Sequence, residues 1–188
     1  TCNGGGHPLT LLAGIWISNT TDSLISDNTI YQNGNEEFGP ETAGIYIADN
    51  STDNTIRENE IYDHTSNGIT IVGAGSDRNE LTRNSTYHNK KLGIDLGNDG
   101  VTANDVGDAD SGPNQEQNFP AIELVIYLST NTYQVNGTSA PNAVVELFAS
   151  DLDPSWHGEG KTYIISATAD AGGDWTAVFS VPGGGGFL

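Results

Sequence analysis

A four-residue phrase recurs four times in the first half of the chain, as Gly-Ile-x-Ile or, in the last copy, Gly-Ile-x-Leu. The copies begin at Gly14, Gly44, Gly68 and Gly93, so successive copies are 30, 24 and 25 residues apart. Repeats of about this length indicate a solenoid, in which each repeat buries its apolar face only by stacking on its neighbours. The spacing therefore predicts stacked coils over residues 13–97.

Each repeat contains two further short runs in which apolar and polar residues alternate. The apolar positions of these runs fall in register between copies: Ile25, Ile56 and Leu81, then Ile30, Ile61 and Thr86. Alternation with a period of two is typical of half-buried strands, and no segment has the 3.6-residue period of an amphipathic helix. The sequence therefore predicts three short strands per coil and an all-β protein.

Two columns of polar or aromatic residues accompany the apolar ones. Their members are Asn28, Asn59 and Asn84, and Tyr31, Tyr62 and Tyr87. Asn tolerates left-handed backbone conformations, and its amide can bond to the turn of the next coil. We interpret the Asn column as a structural ladder. The Tyr column is interpreted as a second stacked ladder, with a ligand-binding platform as the alternative.

These phrases resemble a known family. Gly-Ile-x-Ile, together with Asn-x-Ile-x-x-Asn-x-Ile-Tyr, is similar to the right-handed parallel β-helix repeats of bacterial surface proteins and carbohydrate-active enzymes. The resemblance covers residues 13–97 and implies about three to four coils. Residues 1–12 would then form an N-terminal segment able to cap the first coil. The motif is specific for the fold and leaves the activity open.

The charge of the chain restricts its partners. It has 25 acidic residues against 6 basic ones, and a formal net charge of −19. Nucleic-acid binders need a basic face, so we expect no nucleic-acid partner, while divalent cations would relieve the self-repulsion. No apolar run is long enough to predict a membrane span.

The low Lys content and the many Asn, Gly and Thr residues are typical of a bacterial extracellular protein. Cys2 is the only cysteine, so an intrachain disulfide is excluded. The sequence starts Thr1-Cys2-Asn3 rather than with Met, and we expect it to be a piece of a longer secreted or cell-surface protein.

Residues 98–120 form an acidic junction that interrupts the strand pattern with Gly, Pro, Asn and Asp. Within it, Asp108-Ala-Asp110-Ser-Gly112 has the spacing of a calcium loop, and Asp105 and Asn104 precede it. Ca²⁺ takes hard oxygen ligands, so we predict these four side chains as ligands of a calcium site. The twelfth position from Asp108 is Phe119 rather than Glu, which excludes an EF-hand. A solvated linker is the alternative.

Residues 121–188 form a second module with five alternating runs separated by turn signals. The runs are 122–128, 132–137, 143–149, 162–168 and 175–181. This spacing predicts a small β-sandwich, and the segment resembles the immunoglobulin-like modules of bacterial surface proteins. Such modules usually have about seven strands, so we expect this one to be truncated at its C-terminus. Its open strand edge, or the open end of the coils, would allow self-association.

Enzymes of the resembled type cleave polysaccharides, and a lyase needs a base and a cation. Arg83, His88 and Lys90 are the candidates for such a site, with exposed turns as the alternative. The signatures of polygalacturonase-like enzymes are absent from the sequence. Paired carboxylates, as hydrolases need, could come from many positions in so acidic a chain, so their presence is uninformative.

Three further groups could bind ligands. Trp156 and His157 lie beside carboxylates in a loop and could contact a glycan. Glu36, Glu37 and Glu41 lie in the long first repeat and could hold a cation or act as acid and base. His64 and His88 precede successive Gly-Ile phrases by four and five residues, so they could stack and bind a metal.

Taken together, these features predict a non-catalytic extracellular or cell-surface structural or adhesive module. It would be stabilised by calcium and able to self-associate or contact glycans. The alternative is a fragment of a polysaccharide lyase or glycoside hydrolase built on a β-helix.

Overall fold

The structure, a computed structural model, describes residues 13–34, 42–152 and 155–181. Contacts divide the chain into two compact units: one reaches Gln117 and includes Ala149–Thr162, and the other comprises Asn118–Phe148 and the chain from Tyr163 onwards. The predicted boundaries differ from this division, because Ala149–Thr162 belongs with the coils rather than with the second module. No helix in the described ranges is long and apolar enough to cross a membrane.

In its described part, the first unit contains three complete coils, each of three strands, and the first strand of a fourth. The strands of the first coil are β1 (Ile15–Ser18), β2 (Leu24–Ser26) and β3 (Thr29–Tyr31). Those of the second are β4 (Ala43–Ala48), β5 (Thr55–Arg57) and β6 (Glu60–Tyr62). Those of the third are β7 (Asn67–Ile71), β8 (Glu80–Thr82) and β9 (Ser85–Tyr87), and β10 (Ile94–Leu96) follows.

Equivalent strands of successive coils pair in parallel and form three sheets. Their orders are β1-β4-β7-β10, β2-β5-β8 and β3-β6-β9. The register aligns the repeated phrase, because Ile45 pairs with Ile15 on one side and with Ile69 on the other. The predicted parallel β-helix and the all-β class are therefore confirmed.

Stacked isoleucines fill the interior of the coils. The fully enclosed members are Ile45, Ile47, Ile56, Ile61, Ile69 and Ile71, each with 0% exposure. Parallel strands lie about 4.8 Å apart, so each isoleucine contacts its equivalents above and below. One coil alone would leave this face in water, which is why the repeat is the unit of stability.

The recurring glycine is explained by a close approach between coils. A Cβ placed on Gly44 would lie 2.6 Å from the carbonyl oxygen of Gly68, and a Cβ on Gly68 would lie 2.6 Å from that of Gly93. Real Cβ atoms do not approach a carbonyl so closely. Each repeat therefore keeps glycine at this position because the next coil occupies the space.

Within the residues that the structure describes, the second unit contains five strands, which correspond to the five predicted runs. They are β11 (Ala121–Ser129), β12 (Thr132–Thr138), β13 (Val144–Ala149), β14 (Thr162–Thr168) and β15 (Asp174–Ser180). β11, β12 and β15 form an antiparallel sheet in that order, and β13 pairs with β14 in a two-stranded sheet. Val135, Val145, Ala169 and Trp175 form the buried core of this unit.

Candidate functional site

The Asn column is a continuous ladder of hydrogen bonds. The backbone N–H and side-chain amide of Asn28 both donate to Asn59 Oδ1, each at 3.0 Å. Asn59 repeats the arrangement towards Asn84 Oδ1, at 3.2 and 3.0 Å. Each side-chain oxygen accepts two hydrogen bonds from the preceding coil. The polar groups at the bend of one coil are thus hydrogen-bonded to the next coil.

Two parallel ladders lie at the neighbouring bends, and both end on residues outside the repeats. In one, Asn54 donates to Asn79 Oδ1, and the Asn79 backbone donates to Asn114 Oδ1 at 3.0 Å. Asn114 lies in the 3₁₀ turn Pro113–Glu116 of the acidic junction. In the other ladder, Asn89 donates to Glu159, a buried residue of the segment Ala149–Thr162. The junction and this segment thus extend the ladders beyond the third coil.

His64 occupies an Asn position in the ladder that ends on Glu159. Its Nδ1 accepts the backbone N–H of Asn33 at 3.0 Å, and its backbone N–H donates to Asn89 Oδ1 at 3.1 Å. Its Nε2 lies 3.2 Å from the Ile30 carbonyl oxygen, which fixes the neutral tautomer with the proton on Nε2. Burial lowers the pKa of His64 from 6.5 to about 4. His64 therefore stacks with Asn89 rather than with His88, and the two histidines do not form a metal site.

The tyrosines stack along one outer face. The ring centroids of Tyr31 and Tyr62 are 5.3 Å apart, and those of Tyr62 and Tyr87 are 4.8 Å apart, with nearly parallel planes. The Tyr87 hydroxyl donates to Glu60 at 2.8 Å, and the Lys161 ammonium lies 5.0 Å from the Tyr87 ring centroid. Desolvation and the Glu60 carboxylate raise the pKa of Tyr87. The rings pack chiefly on one another, as in a structural ladder.

Three columns of charged or polar residues lie at positive-φ turn positions between the strands. Their members are Asp22, Asp53 and Arg78; Asp27, Glu58 and Arg83; and Gln32, Asp63 and His88, all with φ between 51° and 58°. In each column the third coil carries a basic residue above an acidic residue of the second coil. The sequence analysis missed this pattern, although the 25-residue spacing of acid and base was visible.

The three candidates for a lyase site lie in different places. Arg83 and His88 belong to two different columns, and Lys90 belongs to neither. Arg83 lies 3.9 Å from Glu58, and His88 lies 3.7 Å from Asp63, measured between nitrogen and oxygen. Arg78 forms a closer, two-pronged pair with Asp53 at 2.6 and 2.7 Å. Such exposed pairs contribute little to stability. Lys90 lies elsewhere, so the structure does not bring the three predicted residues together.

Lys90 lines an open cavity of about 410 Å³ on the first unit. The polar residues of its wall are Lys90, Lys91, His157, Asp95, Asp99, Asn67, Asn98 and Ser155. Leu92 and Val101 add apolar surface. A cavity with two lysines, two carboxylates and two amides can take a hydroxyl-rich or anionic small molecule.

Asp95 is the buried carboxylate of this cavity, with 3% exposure. Its Oδ2 accepts the Asn67 amide at 3.0 Å and the Gly100 N–H at 3.3 Å, and its Oδ1 accepts the Asn98 N–H at 3.0 Å. Desolvation raises the pKa of Asp95, against the lowering effect of these donors. A buried carboxyl with a raised pKa in a cavity is a typical feature of functional sites.

The sequence analysis did not single out Asp95. A signal for it existed, because Asp95 is the variable residue of the fourth Gly-Ile-x-Leu phrase. Its register partner is Thr70, which in turn pairs with Tyr46, and Tyr46 pairs with Trp16. This column faces away from the isoleucine core. Its first two members are aromatic, whereas its last member is a carboxylate that could take part in polar chemistry.

The glycan candidates take different positions. His157 lines the cavity, whereas Trp156 is 86% exposed and has a left-handed backbone with φ of 64°. A tryptophan this exposed offers a free ring face for stacking. Glu36, Glu37 and Glu41, and the predicted cap 1–12, lie outside the described residues.

The predicted calcium loop brings three carboxylates together. One carboxylate oxygen from each of Asp105, Asp108 and Asp110 lies within 4.8 Å of the other two. Both oxygens of Asp105 accept the Ala109 N–H, at 3.1 and 3.0 Å, which closes the loop. Asp110 Oδ1 is enclosed and has no hydrogen-bond partner within the described residues. Asn104 is exposed and directly precedes Asp105. This oxygen-only donor set fits Ca²⁺.

Comparison with known proteins supports the architecture. Residues 10–107, more than half of the chain, match the family described as "right handed beta helix region". No curated protein matches the chain.

Proposed function

The chain belongs to the right-handed β-helix family, and on that premise we propose that it is a non-catalytic, extracellular or cell-surface structural module. Its acidic junction binds Ca²⁺, and its exposed surfaces serve adhesion or self-association. The single observation that carries this proposal is the convergence of Asp105, Asp108 and Asp110 in one loop, with an enclosed oxygen that lacks a partner.

The position of the loop supports a stabilising role for the ion. The junction that contains it also carries Asn114, which extends the Asn54–Asn79 ladder. Three close carboxylates repel one another, and the net charge of −19 adds to this repulsion. A bound Ca²⁺ would neutralise the loop and thereby hold the end of the coils closed. An extracellular location, where calcium is abundant, is consistent with the composition.

The test is thermal unfolding of the chain after EDTA treatment, with and without millimolar Ca²⁺. A ligand that binds only the folded state raises the melting temperature. We expect a clear rise with Ca²⁺, and its loss in the double variant Asp108→Asn/Asp110→Asn. The matched control is Asp170→Asn, in a turn of the second unit, which should keep the response. An unchanged melting temperature in the parent chain would reject the calcium site.

Glycan contact is part of the same proposal and is supported by the exposed ring of Trp156. Binding to a glycan array that is lost in Trp156→Ala, without release of products, would support an adhesive role. Binding that survives this substitution would remove Trp156 from the proposal.

A second candidate function is polysaccharide cleavage, favoured by Asp95 in its cavity with Lys90 and His157. Its test is incubation with uronate-containing and neutral polysaccharides, followed by ultraviolet absorbance of unsaturated products and by reducing-end release. If cleavage occurs there, Asp95→Asn and Lys90→Ala abolish it, whereas Arg83→Ala and His88→Ala preserve it. Absence of products from all substrates would favour the structural module.

A further inference from the structure

The cavity on the first unit has a floor that is fixed by hydrogen bonds within the protein. The Asn67 amide donates to Thr70 Oγ1 at 3.1 Å and to Asp95 Oδ2 at 3.0 Å. The same amide lies 3.3 Å from Asn98 Oδ1, and the Asn67 oxygen accepts the Leu92 N–H at 3.0 Å. Asn67 is 0% exposed, so these bonds set the shape of the floor before any ligand arrives.

Asp95 provides an acceptor on this floor. Its carboxylate accepts three hydrogen bonds, one each from Asn67, Asn98 and Gly100. A carboxylate has about four acceptor positions, so one position, on Oδ1, remains for a donor in the cavity. A ligand hydroxyl can supply that donor, whereas a ligand carboxylate group cannot and is repelled by Asp95.

The rim of the cavity carries donors and acceptors together. Lys90 and Lys91 are donors from the connection before β10, and Asp99 is an acceptor from the turn after it. Ser155 and His157, from the segment Ala149–Thr162, can each donate and accept. A sugar hydroxyl also donates one hydrogen bond and accepts others, so a wall of mixed donors and acceptors suits it.

The wall is electrically balanced and partly apolar. Its two lysines are matched by its two carboxylates, while the whole chain has a formal net charge of −19. An anionic ligand meets these carboxylates and the repulsion of the whole chain, and a cationic ligand meets the two lysines. Leu92 and Val101 add apolar surface, against which the C–H face of a sugar ring can pack.

We propose that this cavity binds a neutral pyranose, free or as part of a glycan, and binds the corresponding uronate more weakly. The cavity volume of about 410 Å³ lies near the lower end of the range for small-molecule sites, which suits a ligand of monosaccharide to disaccharide size. The inference rests on the glycan contact proposed above, and it names a site and a class of sugar for it.

The experiment is isothermal titration calorimetry of the 188-residue chain with matched sugars at neutral pH. The neutral probes are the methyl glycosides of glucose, galactose and mannose, and each is compared with its uronate, which differs only in a carboxylate at C6. We expect a neutral glycoside to bind and its uronate to bind about 10-fold or more weakly, because the added carboxylate meets like charges. Added salt should leave the affinity for the neutral glycoside unchanged.

Two substitutions of Asp99 separate hydrogen bonding from charge. Asp99→Ala removes an acceptor and should weaken binding of the neutral glycoside by about 5-fold or more. Asp99→Asn keeps an acceptor and should retain that affinity, but it removes a negative charge and should narrow the difference between glycoside and uronate. Asp27→Asn makes the same change in net charge at an exposed turn outside the cavity, so it is the matched control and should alter neither affinity. Circular dichroism of each variant should match the parent.

Failure of every neutral glycoside to bind would overturn the proposal. A uronate that binds as tightly as its glycoside would overturn it as well and would assign the cavity to an anion. An affinity that Asp99→Ala leaves unchanged would place the sugar elsewhere on the chain, which also contradicts the proposal.

These outcomes are distinct from those of the proposed function. If glycan-array binding is lost in Trp156→Ala while no free glycoside binds, the glycan contact stands and only the inference about the cavity fails. The calcium test measures a melting temperature without any sugar, so its result does not depend on the cavity.

Discussion

Glu159 accepts two hydrogen bonds from Asn89, one from the backbone N–H to Oε2 at 2.9 Å and one from the side-chain amide to Oε1 at 2.6 Å. Both residues are buried. The adjacent Gly160 carbonyl accepts the Thr86 N–H at 2.9 Å, so this segment lies along β9 as a further rung. A carboxylate, which only accepts, is suited to end a ladder whose last asparagine presents two donors.

Removing this end group should destabilise the coils. Glu159→Ala removes the acceptor of the Asn89 backbone N–H and of one side-chain N–H, while the amide keeps its bond to the Ile61 carbonyl. We expect a loss of about 2–5 kcal/mol in the free energy of unfolding. Glu159→Gln keeps one acceptor and should lose about half as much. Chemical denaturation monitored by circular dichroism measures both. Glu80→Ala, at an exposed position of β8, is the control and should lie within about 0.5 kcal/mol of the parent. Equal losses for Glu159→Ala and Glu80→Ala would contradict the role of Glu159.

The buried imidazole of His64 makes the first unit sensitive to acid. Its pKa is about 4 in the folded state against 6.5 unfolded, so folding favours the neutral ring. Its contribution to stability is complete above about pH 6.5 and is lost progressively as the pH falls towards 4, by about 3 kcal/mol in total. Unfolding free energies measured between about pH 7 and about pH 4 test this sign and this window.

The matched variant is His64→Asn, which restores the side chain found above and below it in the same ladder, Asn33 and Asn89. Its amide oxygen can accept the Asn33 N–H as His64 Nδ1 does. We therefore expect His64→Asn to have the same free energy of unfolding as the parent at neutral pH. On acidification its free energy of unfolding should fall less than that of the parent. The same acid dependence in parent and variant would show that other groups cause it.

The middle of the Asn ladder should matter more than its first member. Asn59 is enclosed, with donors bonded to the Ile25 and Arg57 carbonyls and an oxygen that accepts from Asn28. Asn59→Ala should lower the free energy of unfolding by about 2–4 kcal/mol, and Asn28→Ala, at an exposed position, by about 1 kcal/mol or less. Denaturant titration distinguishes them. A larger effect at Asn28 would argue against ladder bonding as the source of stability.

The glycine column gives a steric prediction. In Gly44→Ala the new methyl meets the Gly68 carbonyl at 2.6 Å and the Ile61 side chain at 2.5 Å, which forces two coils apart. Overpacking of this kind typically costs about 1–3 kcal/mol, and here backbone must move. Gly73→Asn is the control, since its left-handed position has open space and Asn tolerates that conformation. Thermal unfolding should separate the two, and similar melting temperatures would reject the steric account.

The coil architecture was predictable because its contacts repeat. Ile45 contacts Ile69 and Ile15, and the same residue types recur at the same offsets, so periodicity in the chain reports neighbours in space. The five strands of the second unit were predictable for a related reason, since alternation reveals a strand with one covered face. The calcium prediction was also local, because Asp105, Asp108 and Asp110 lie within six residues of sequence.

The amino-acid sequence by itself determined the stacking unit, the inward isoleucines and the glycine at each close approach, since all three follow from a pattern that each coil repeats. Only the tertiary structure decided that Asn114 and Glu159 end two ladders, that His64 replaces Asn in one of them, and that Asp95 is buried in a cavity. Glu159 lies 70 residues from Asn89 in sequence, and such a contact occurs once. A contact without a repeat leaves no periodic trace in the chain, so its geometry emerges only when distant segments pack together.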